Sequence, residues 1–525
     1  MLRHLLRMLA LLACLGQAHA LTPEAALAMA QGDSASRIAA MQAAVAEQPD
    51  ARTAAFLRAL ADGEVVIAGD RALIVKDGQA QDPATGQGAP LPEGADDVTN
   101  NNRMRAAIGT ALAALDLFAP EANQRLQAAH AMRQGATAER LPLVEKALAQ
   151  ETDARVKQAL AQISASVQLN GADAAGRLAA IATLAEDSSP ATSLLLNERL
   201  ARESDEKVQA ALRRALAQVD DELAWGERLG VAFTGVSLGS ILLLVALGLA
   251  ITYGLMGVIN MAHGELMMIG AYATYVVQGL FQKYLPGAFD WYLLAAVPVA
   301  FLASALVGAA LERSVIRFLY GRPLETLLAT WGISLILIQG VRSIFGAQNV
   351  GVENPSWMSG GVQVLSNLSL PYNRLVIIGF AAAVLLGMAF LIGRTRLGLF
   401  VRGVTQNRPI ASCMGVNTAR VDTYAFALGS GIAGLAGCAL SQVGNVGPDL
   451  GQSYIVDAFM VVVLGGVGQL AGTVYAAMGL GILNKLLEGW AGAVLAKIAV
   501  LVFIIIFIQK RPQGIFAMKG RSAEA

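Results

Sequence analysis

The sequence VAFTGVSLGSILLLVALGLAITYGLMGVINMA, residues 231–262, runs for 32 positions without a charged side chain. The hydrocarbon core of a bilayer is about 30 Å thick and needs about 20 apolar residues for one helical crossing. The stretch is therefore too long for one crossing and barely long enough for two. It predicts an integral membrane protein in which a second crossing begins soon after the first.

Polar residues stand where that second crossing should begin, because the chain continues as NMAHGE over residues 260–265. Ionisable side chains at membrane depth are costly, and they usually mark a functional site. Asn260, His263 and Glu265 are therefore candidates for the lining of a pathway or for a gate. The alternative interpretation is an internal hydrogen-bond cluster that locks a break in the helix.

Composition divides the chain into two regions. Residues 21–225 are alanine-rich and charged with a helical pattern, and we expect them to form a mostly helical soluble domain. Residues 226–518 are apolar and glycine-rich, as expected of a membrane domain, and 519–525 form a short tail. The formal net charge of the whole chain is +0, so charge provides no argument for binding nucleic acid.

The first 20 residues have the pattern of a signal peptide. Arg3 and Arg7 precede a short apolar run over residues 8–15, and AHA at 18–20 is a small-x-small cleavage site. An amphipathic start to the soluble domain is the alternative. If a signal peptide is present, the soluble domain is exported. The three cysteines of the chain form neither a disulfide framework nor a metal-ligand spacing.

An internal repeat with an offset of 52 residues runs through the soluble domain. LAQETD at 148–153 corresponds to LARESD at 200–205, and Arg125 corresponds to Arg177. Such repeats indicate stacked helical pairs of the HEAT type, with Asp153 and Asp205 as helix N-caps. Coincidence within alanine-rich helices is the alternative. Residues 64–67 and 72–76 instead predict two short strands joined by a turn.

Hydropathy predicts an all-α bundle of nine membrane spans. Basic residues cluster after the third, fifth and ninth spans, as at Arg313, Arg394 and Lys510. By the positive-inside rule these ends are cytosolic, which places the N-terminus outside and the C-terminus inside. The predicted spans are 229–250, 253–279, 291–311, 325–345, 374–393, 422–443, 454–470, 472–489 and 493–509.

Glycine motifs in the membrane domain do not indicate an enzyme. GSGIAG at 429–434 matches the dinucleotide-binding pattern, but it lies within an apolar helical stretch rather than between a strand and a helix. Small residues there indicate close packing of membrane helices. The chain contains no Gly-x-x-x-x-Gly-Lys-Ser/Thr motif, so any ATP-driven step would need a separate subunit. We expect no cofactor and no metal.

Two further segments carry candidate functional residues. The 394–415 segment is the longest basic connection, and a short helix in it could dock on an ATPase or be an ordinary positive-inside loop. Thr330, Ser334 and Gln339 make a polar stripe on the fourth predicted span. The stripe could line a route for a small uncharged solute, or it could form satisfied contacts between helices. The candidate docking residues are Gln406, Asn407, Arg408, Ala411 and Gly415.

Several motifs in the membrane domain resemble a known family. GVINMAHGE at 257–265, VLGGVG at 463–468 and RPQGIF at 511–516 are similar to motifs of permease subunits in ABC importers of the branched-chain amino-acid type. The 394–415 segment resembles the ATPase-coupling loop of that family. The resemblance implies an inner-membrane permease that works with two ATP-binding subunits, a second permease subunit and a periplasmic substrate-binding protein, with membrane lipid around it.

Other motifs resemble the urea-importer branch of that family. They are ETLLATWG at 325–332, FGAQN at 345–349 and WMSGG at 357–361, together with the exported N-terminal extension. This resemblance implies urea uptake, with the soluble domain in the periplasm. A branched-chain amino-acid permease is one alternative, and a passive channel or scaffold without a motor is another.

Overall fold

The computed structural model describes residues 21–47, 51–76, 79–90, 94–133 and 140–516. These residues divide into two compact units, with the boundary between Leu223 and Ala224. The predicted signal peptide, 1–20, and tail, 519–525, lie outside the described residues.

The first unit is mostly helical. Its helices carry apolar residues on one face, and the buried side chains of these faces, such as Phe56, Leu60 and Leu160, form its core. The helices are α1 (Pro23–Ala30), α2 (Ser34–Glu47), α3 (Ala51–Asp62), α4 (Asn102–Asp116), α5 (Ala122–Arg133), α6 (Leu141–Gln150), α7 (Ala154–Gln168), α8 (Ala174–Ala185), α9 (Pro190–Arg202) and the start of α10 (Glu206–Met256).

A small antiparallel sheet interrupts the helices of this unit. The two predicted strands are confirmed as β1 (Val65–Ala68) and β2 (Arg71–Lys76), which pair across a turn at Gly69. Three further strands were missed: β3 (Gln79–Gln81), β4 (Gly88–Ala89) and β5 (Asp96–Asp97). They are only two or three residues long, so they carry no alternating pattern, and they exist through pairing in the order β4-β3-β2-β1-β5.

The offset of 52 residues relates two equivalent ion pairs in this unit. Arg125 Nε lies 2.8 Å from Glu151 Oε2, and Arg177 Nε lies 3.0 Å from Glu203 Oε2. Each guanidinium also donates to the carbonyls five and six residues before it. Each glutamate accepts hydrogen bonds from the two backbone N–H groups that follow it. In both copies of the repeat, the same arginine and glutamate therefore stabilise a turn between two helices through the same contacts.

The helix caps predicted within this repeat are confirmed. Asp153 accepts a hydrogen bond from Arg155 N at 2.9 Å, and Asp205 accepts one from Lys207 N at 2.8 Å. Each cap satisfies a backbone donor that the first turn of a helix leaves free.

Low pH is expected to reduce the stability of the two turns that these ion pairs hold. The hydrogen bond from Arg125 lowers the pKa of Glu151 from 4.5 to about 2, and the Asp205 N–H, aided by Arg199, lowers the pKa of Glu203 to about 2. Each folded carboxylate binds protons more weakly than its unfolded counterpart. Their stabilisation is therefore complete above about pH 4.5 and is lost as the pH falls toward 2.

This loss can be measured as hydrogen-exchange protection of α7 and α8 between about pH 6 and pH 3, corrected for intrinsic exchange. Glu203→Gln is expected to remove on the order of 3 kcal/mol at neutral pH and to flatten the acid response nearby. Glu145→Gln, at an exposed site on α6, is the matched control. An acid response that is equal in both variants would contradict the prediction.

The second unit contains a helix for each of the nine predicted spans. They are the later part of α10, then α11 (His263–Tyr284), α12 (Tyr292–Ser314), α13 (Pro323–Phe345), α14 (Tyr372–Arg394), α17 (Thr418–Ser441), α18 (Leu450–Gly465), α19 (Leu470–Ala491) and α20 (Ala493–Lys510). Between them lie the hairpin β6 (Gly361–Leu365) and β7 (Leu368–Pro371) and the short helices α15 (Arg396–Gln406) and α16 (Arg408–Cys413).

Seven helices in the described part of the chain are long and apolar enough to cross a membrane. The predicted number of nine membrane spans is therefore not confirmed. Helix α11 has 22 residues, but His263, Glu265 and Gln278 make it less apolar. Helix α18 is apolar but has only 16 residues, which is about 24 Å at 1.5 Å per residue.

Glycines bring three helices of this unit into backbone contact. Gly270 of α11 lies against Gly434 of α17, and Gly437 lies against Met267. Ser304 of α12 donates a hydrogen bond to Leu266 O at 2.8 Å in the same region. The packing interpretation of GSGIAG is confirmed, because these small residues let the helix backbones touch.

Candidate functional site

The predicted break between α10 and α11 is present, and polar side chains hold its backbone. We call residues 257–262 the helix break. Gly257 turns the chain with φ +65°, a conformation that favours glycine. Asn260 Oδ1 accepts a hydrogen bond from Ala262 N at 3.0 Å. Thr330 of α13 accepts one from Met261 N at 3.1 Å, so the structure brings Thr330 to the break.

Three polar atoms beside the break are buried without a hydrogen-bond partner among the described residues. His263 is fully buried, and its Nε2 donates to Val245 O at 3.0 Å, which leaves Nδ1 as an unpaired acceptor. The other two atoms are Asn260 Nδ2 and Glu265 Oε2. An unpaired buried polar group costs about 1–3 kcal/mol, and such groups are rare. Three buried atoms beside the helix break can therefore still donate or accept a hydrogen bond.

The predicted polar stripe on α13 is partly correct. Thr330 and Ser334 are buried, and Ser334 lies beside Glu265. Gln339 is exposed and does not join them. With 3.6 residues per turn, a step of five residues rotates Gln339 by about 140° from Ser334. The buried polar face instead includes Thr326, four residues before Thr330, which sequence reasoning missed.

Close glycine contacts seat the helices around the break. A side chain at Gly248 of α10 would overlap Gly429 O and lie 2.9 Å from His263 Cε1. Gly264 of α11 lies in backbone contact with Gly451 of α18 in the same way. The buried polar groups are therefore packed directly between α10, α17 and α18.

In the 394–415 segment, Gln406 and Asn407 are exposed, and Asn407 caps α16 by accepting from Ile410 N at 3.1 Å. Ala411, a predicted docking residue, is buried and so does not face a partner directly. The large apolar side chains exposed there are Ile410 at 60% and Met414 at 79%. Gly415, with φ +83°, follows in the turn after α16.

Arg408 belongs to a network around two buried carboxylates, which we call the Glu312 cluster. Its members come from the end of α12, the following connection, α16 and the start of α17: Glu312, Arg317, Tyr320, Arg408, Asp422 and Thr423.

Hydrogen bonds and ion pairs join these six residues. Glu312 is fully buried and accepts from the hydroxyls of Thr423 at 2.6 Å and Tyr320 at 2.9 Å. Arg317 lies 3.6 Å from the same carboxylate.

The nearly buried carboxylate of Asp422 pairs with Arg408, whose guanidinium lies 4.9 Å from the centroid of the Tyr320 ring. Two carboxylates are thus matched by two guanidinium groups where α12, α16 and α17 meet.

Sequence reasoning missed the Glu312 cluster apart from Arg408. The available signal was an acid at the end of one predicted span, Glu312, and another at the start of a span, Asp422. The neighbouring basic residues were interpreted only as markers of orientation.

These features define a polytopic membrane permease: a bundle of apolar helices with a polar helix break and an amphipathic segment tied to the ends of two helices. The model of the family described as branched-chain amino acid transport system / permease component matches residues 231–509. The chain belongs to this family of ABC transporter permeases.

Similar proteins are permeases as well. The chain is 29% identical over 293 residues to the high-affinity branched-chain amino acid transport system permease protein LivH of Salmonella typhimurium, covering 54% of this chain and 93% of that protein. It is 26% identical over 287 residues to BraD of Pseudomonas aeruginosa, with the same coverage. It is 27% identical over 202 residues to the ribose import permease protein RbsC of Escherichia coli, covering 37% and 60%. No solved structure matches the chain.

Proposed function

We propose that this permease takes up urea, driven by ATP hydrolysis on two separate ATP-binding subunits. A second permease subunit and a periplasmic substrate-binding protein complete the proposed importer. The bundle lies in the inner membrane, and the first unit lies in the periplasm. The observation that carries the proposed cargo is the set of unpaired polar atoms at the helix break.

Those atoms suit a small neutral solute. Urea has a carbonyl oxygen that accepts hydrogen bonds and two amide groups that donate them. The Asn260 Nδ2 donor and the acceptors at His263 Nδ1 and Glu265 Oε2 offer the complementary groups. Because the atoms are buried, a solute there would be shielded from competing water, which strengthens each hydrogen bond.

The buried charges of the second unit also favour a neutral cargo. Its buried charged residues are Glu265, Glu312 and Asp422, and its described residues include no buried lysine or arginine. The carboxylate of a zwitterion would therefore meet no buried cation, and an unpaired buried charge is strongly unfavourable.

A branched-chain amino acid is the second candidate cargo. LivH and BraD carry branched-chain amino acid transport in their names. In an importer with a separate binding protein, that protein can select the cargo before it reaches the permease.

The proposed contact with an ATP-binding subunit is supported by the exposed face of α16. Ile410 and Met414 present apolar side chains there, and Leu399 of α15 is also exposed. Large exposed apolar residues beside basic ones are typical of a protein-binding surface. Gln406, Asn407 and Arg408 lie beside this face, with Ala411 supporting it from within.

Uptake of labelled urea and labelled leucine, in cells with and without the chain, tests the cargo. We expect urea uptake to depend on the chain and to stop when the ATP-binding subunits are disabled. Loss of leucine uptake alone would contradict urea as the cargo. Uptake that continues without ATP hydrolysis would indicate a passive channel.

Asn260→Asp makes the test specific to the break. It keeps the Oδ1 acceptor of the Ala262 hydrogen bond and removes the Nδ2 donor. Urea uptake is expected to fall about tenfold, since the lost bond is worth about 1–3 kcal/mol. Gln339→Ala, at the exposed position on α13, should keep normal uptake. Equal uptake by the two variants, at equal expression, would contradict a role for the break.

A further inference from the structure

Helix α18 carries a polar face that is exposed in a membrane protein. We call it the α18 stripe, and it includes the residue just before the helix. Positions three, four, seven and eight residues apart lie on one side of a helix. The members of the stripe are the exposed polar residues Asp449, Gln452 and Ser453, the exposed apolar Val456, and Asp457, which is mostly covered.

Two cations from neighbouring helices match the two acids of the stripe. Arg342 of α13 lies 2.6 Å from Asp449, and Lys497 of α20 lies 3.4 Å from Asp457. Lys497 Nζ is also 3.5 Å from Ser453 O. The stripe and its partners therefore combine paired charges with the uncharged hydrogen-bonding groups of Gln452 and Ser453.

The opposite face of α18 packs against the start of α11. Gly451 is in backbone contact with Gly264, and Ile455 and Ala458 are buried. Gly264 stands between His263 and Glu265. A single helix thus separates the buried polar groups at the helix break from the exposed α18 stripe.

Covering this face with lipid would cost a large free energy, because charged and amide side chains are unfavourable in hydrocarbon. A dry protein contact is also unfavourable, because it would desolvate three exposed charged groups; the fourth, Asp457, is already mostly covered, with 14% of its side chain exposed. The side chains of Asp449, Arg342 and Lys497 are 64%, 40% and 54% exposed. Water is the covering that leaves these groups solvated.

We propose that the α18 stripe lines a water-filled route for an uncharged polar solute. The proposal rests on the proposed transport function and deepens it by assigning side chains to the route. The paired charges leave no net charge on the stripe to trap a solute. Gln452 and Ser453 supply the exchangeable hydrogen bonds that a polar solute needs while it passes.

Cysteine accessibility tests the proposal in the complete importer. Ser453→Cys and Gln452→Cys are introduced into a background that carries Cys14→Ser, Cys413→Ser and Cys438→Ala. Each variant is exposed to a water-soluble cationic methanethiosulfonate reagent. Leu386→Cys on the apolar, exposed surface of α14 and Ala458→Cys on the buried face of α18 are the matched controls.

Both stripe cysteines are expected to react at least about tenfold faster than either control, because only a hydrated thiol forms the reactive thiolate readily. Saturating urea should slow the reaction at Ser453→Cys at least about twofold, because a bound solute excludes the reagent.

Reaction at the stripe as slow as in the controls would overturn the proposal in favour of a dry contact with another subunit. Fast labelling that neither urea nor leucine slows, in an importer that still transports, would also overturn it. If the cells take up leucine instead of urea and leucine gives the protection, the proposed cargo and the restriction to an uncharged solute fail, while the α18 stripe still lines the water-filled route.

Discussion

Gly270→Ala is expected to destabilise the second unit strongly by forcing α11 away from α17. A methyl group at Gly270 would overlap the carbonyl oxygen and Cα of Gly434. These are backbone atoms, so no side-chain rotation can relieve the overlap, and α11 would have to move away from α17. That movement would also disturb the hydrogen bond from Ser304 to Leu266 O. Forcing extra volume into a packed core costs about 1–3 kcal/mol of stability. Because this clash is with backbone atoms, we expect a loss of about 3 kcal/mol or more.

The effect can be measured as the thermal stability of the detergent-solubilised protein, followed by size-exclusion chromatography. Gly279→Ala is the matched control, because Gly279 is on the same helix and an added Cβ there would meet nothing within 4 Å. It should be neutral, or stabilising by up to about 1 kcal/mol through helix propensity. Similar stability of the two variants would show that α11 and α17 do not touch as described.

The helix break illustrates what the sequence could predict. A long uncharged run followed by NMAHGE predicted a break between two spans, and the structure has a break at residues 257–262. Its position was less accurate: α11 begins at His263, ten residues after the predicted start of the second span. The hydrogen bond from Met261 N to Thr330 joins residues far apart in sequence, and local periodicity contains no information about such a contact.

The Glu312 cluster and Gln339 illustrate the opposite case. Glu312 and Asp422 become partners of a common network only because α12 and α17 pack together, and nothing in either helix alone indicates the partner. Gln339 was grouped with Thr330 and Ser334 by its polarity, although its spacing turns it away from them. In both cases side-chain type was available from sequence, while the direction and the neighbour of the side chain were not.

In the proposed importer, Arg408→Gln is expected to abolish most solute uptake while leaving ATP hydrolysis by the ATP-binding subunits largely intact. Arg408 pairs with Asp422, whose side chain is only 4% exposed, and its guanidinium stacks on Tyr320. Removing Arg408 leaves the buried Asp422 carboxylate unpaired, but Arg408 itself is 41% exposed, so the cost is on the order of 1–3 kcal/mol and not that of a fully buried pair. Helix α16 would then lose its ion pair to α17 and its cation–π contact with Tyr320, and would be held by the buried Ala411. An ATP-binding subunit could still seat on Ile410 and Met414, but its movement would no longer reach the bundle.

The ratio of uptake to ATP hydrolysis, measured on the reconstituted importer, separates this role from a simple folding defect. Arg402→Gln, at an exposed position of α15, should leave the ratio unchanged. The reversed pair, Arg408→Asp with Asp422→Arg, should recover part of the uptake, because it restores the opposite charges without the stacking on Tyr320. If Arg408→Gln lowers ATP hydrolysis and uptake equally, Arg408 acts in docking the ATP-binding subunit. If it changes neither, α16 transmits force without this ion pair.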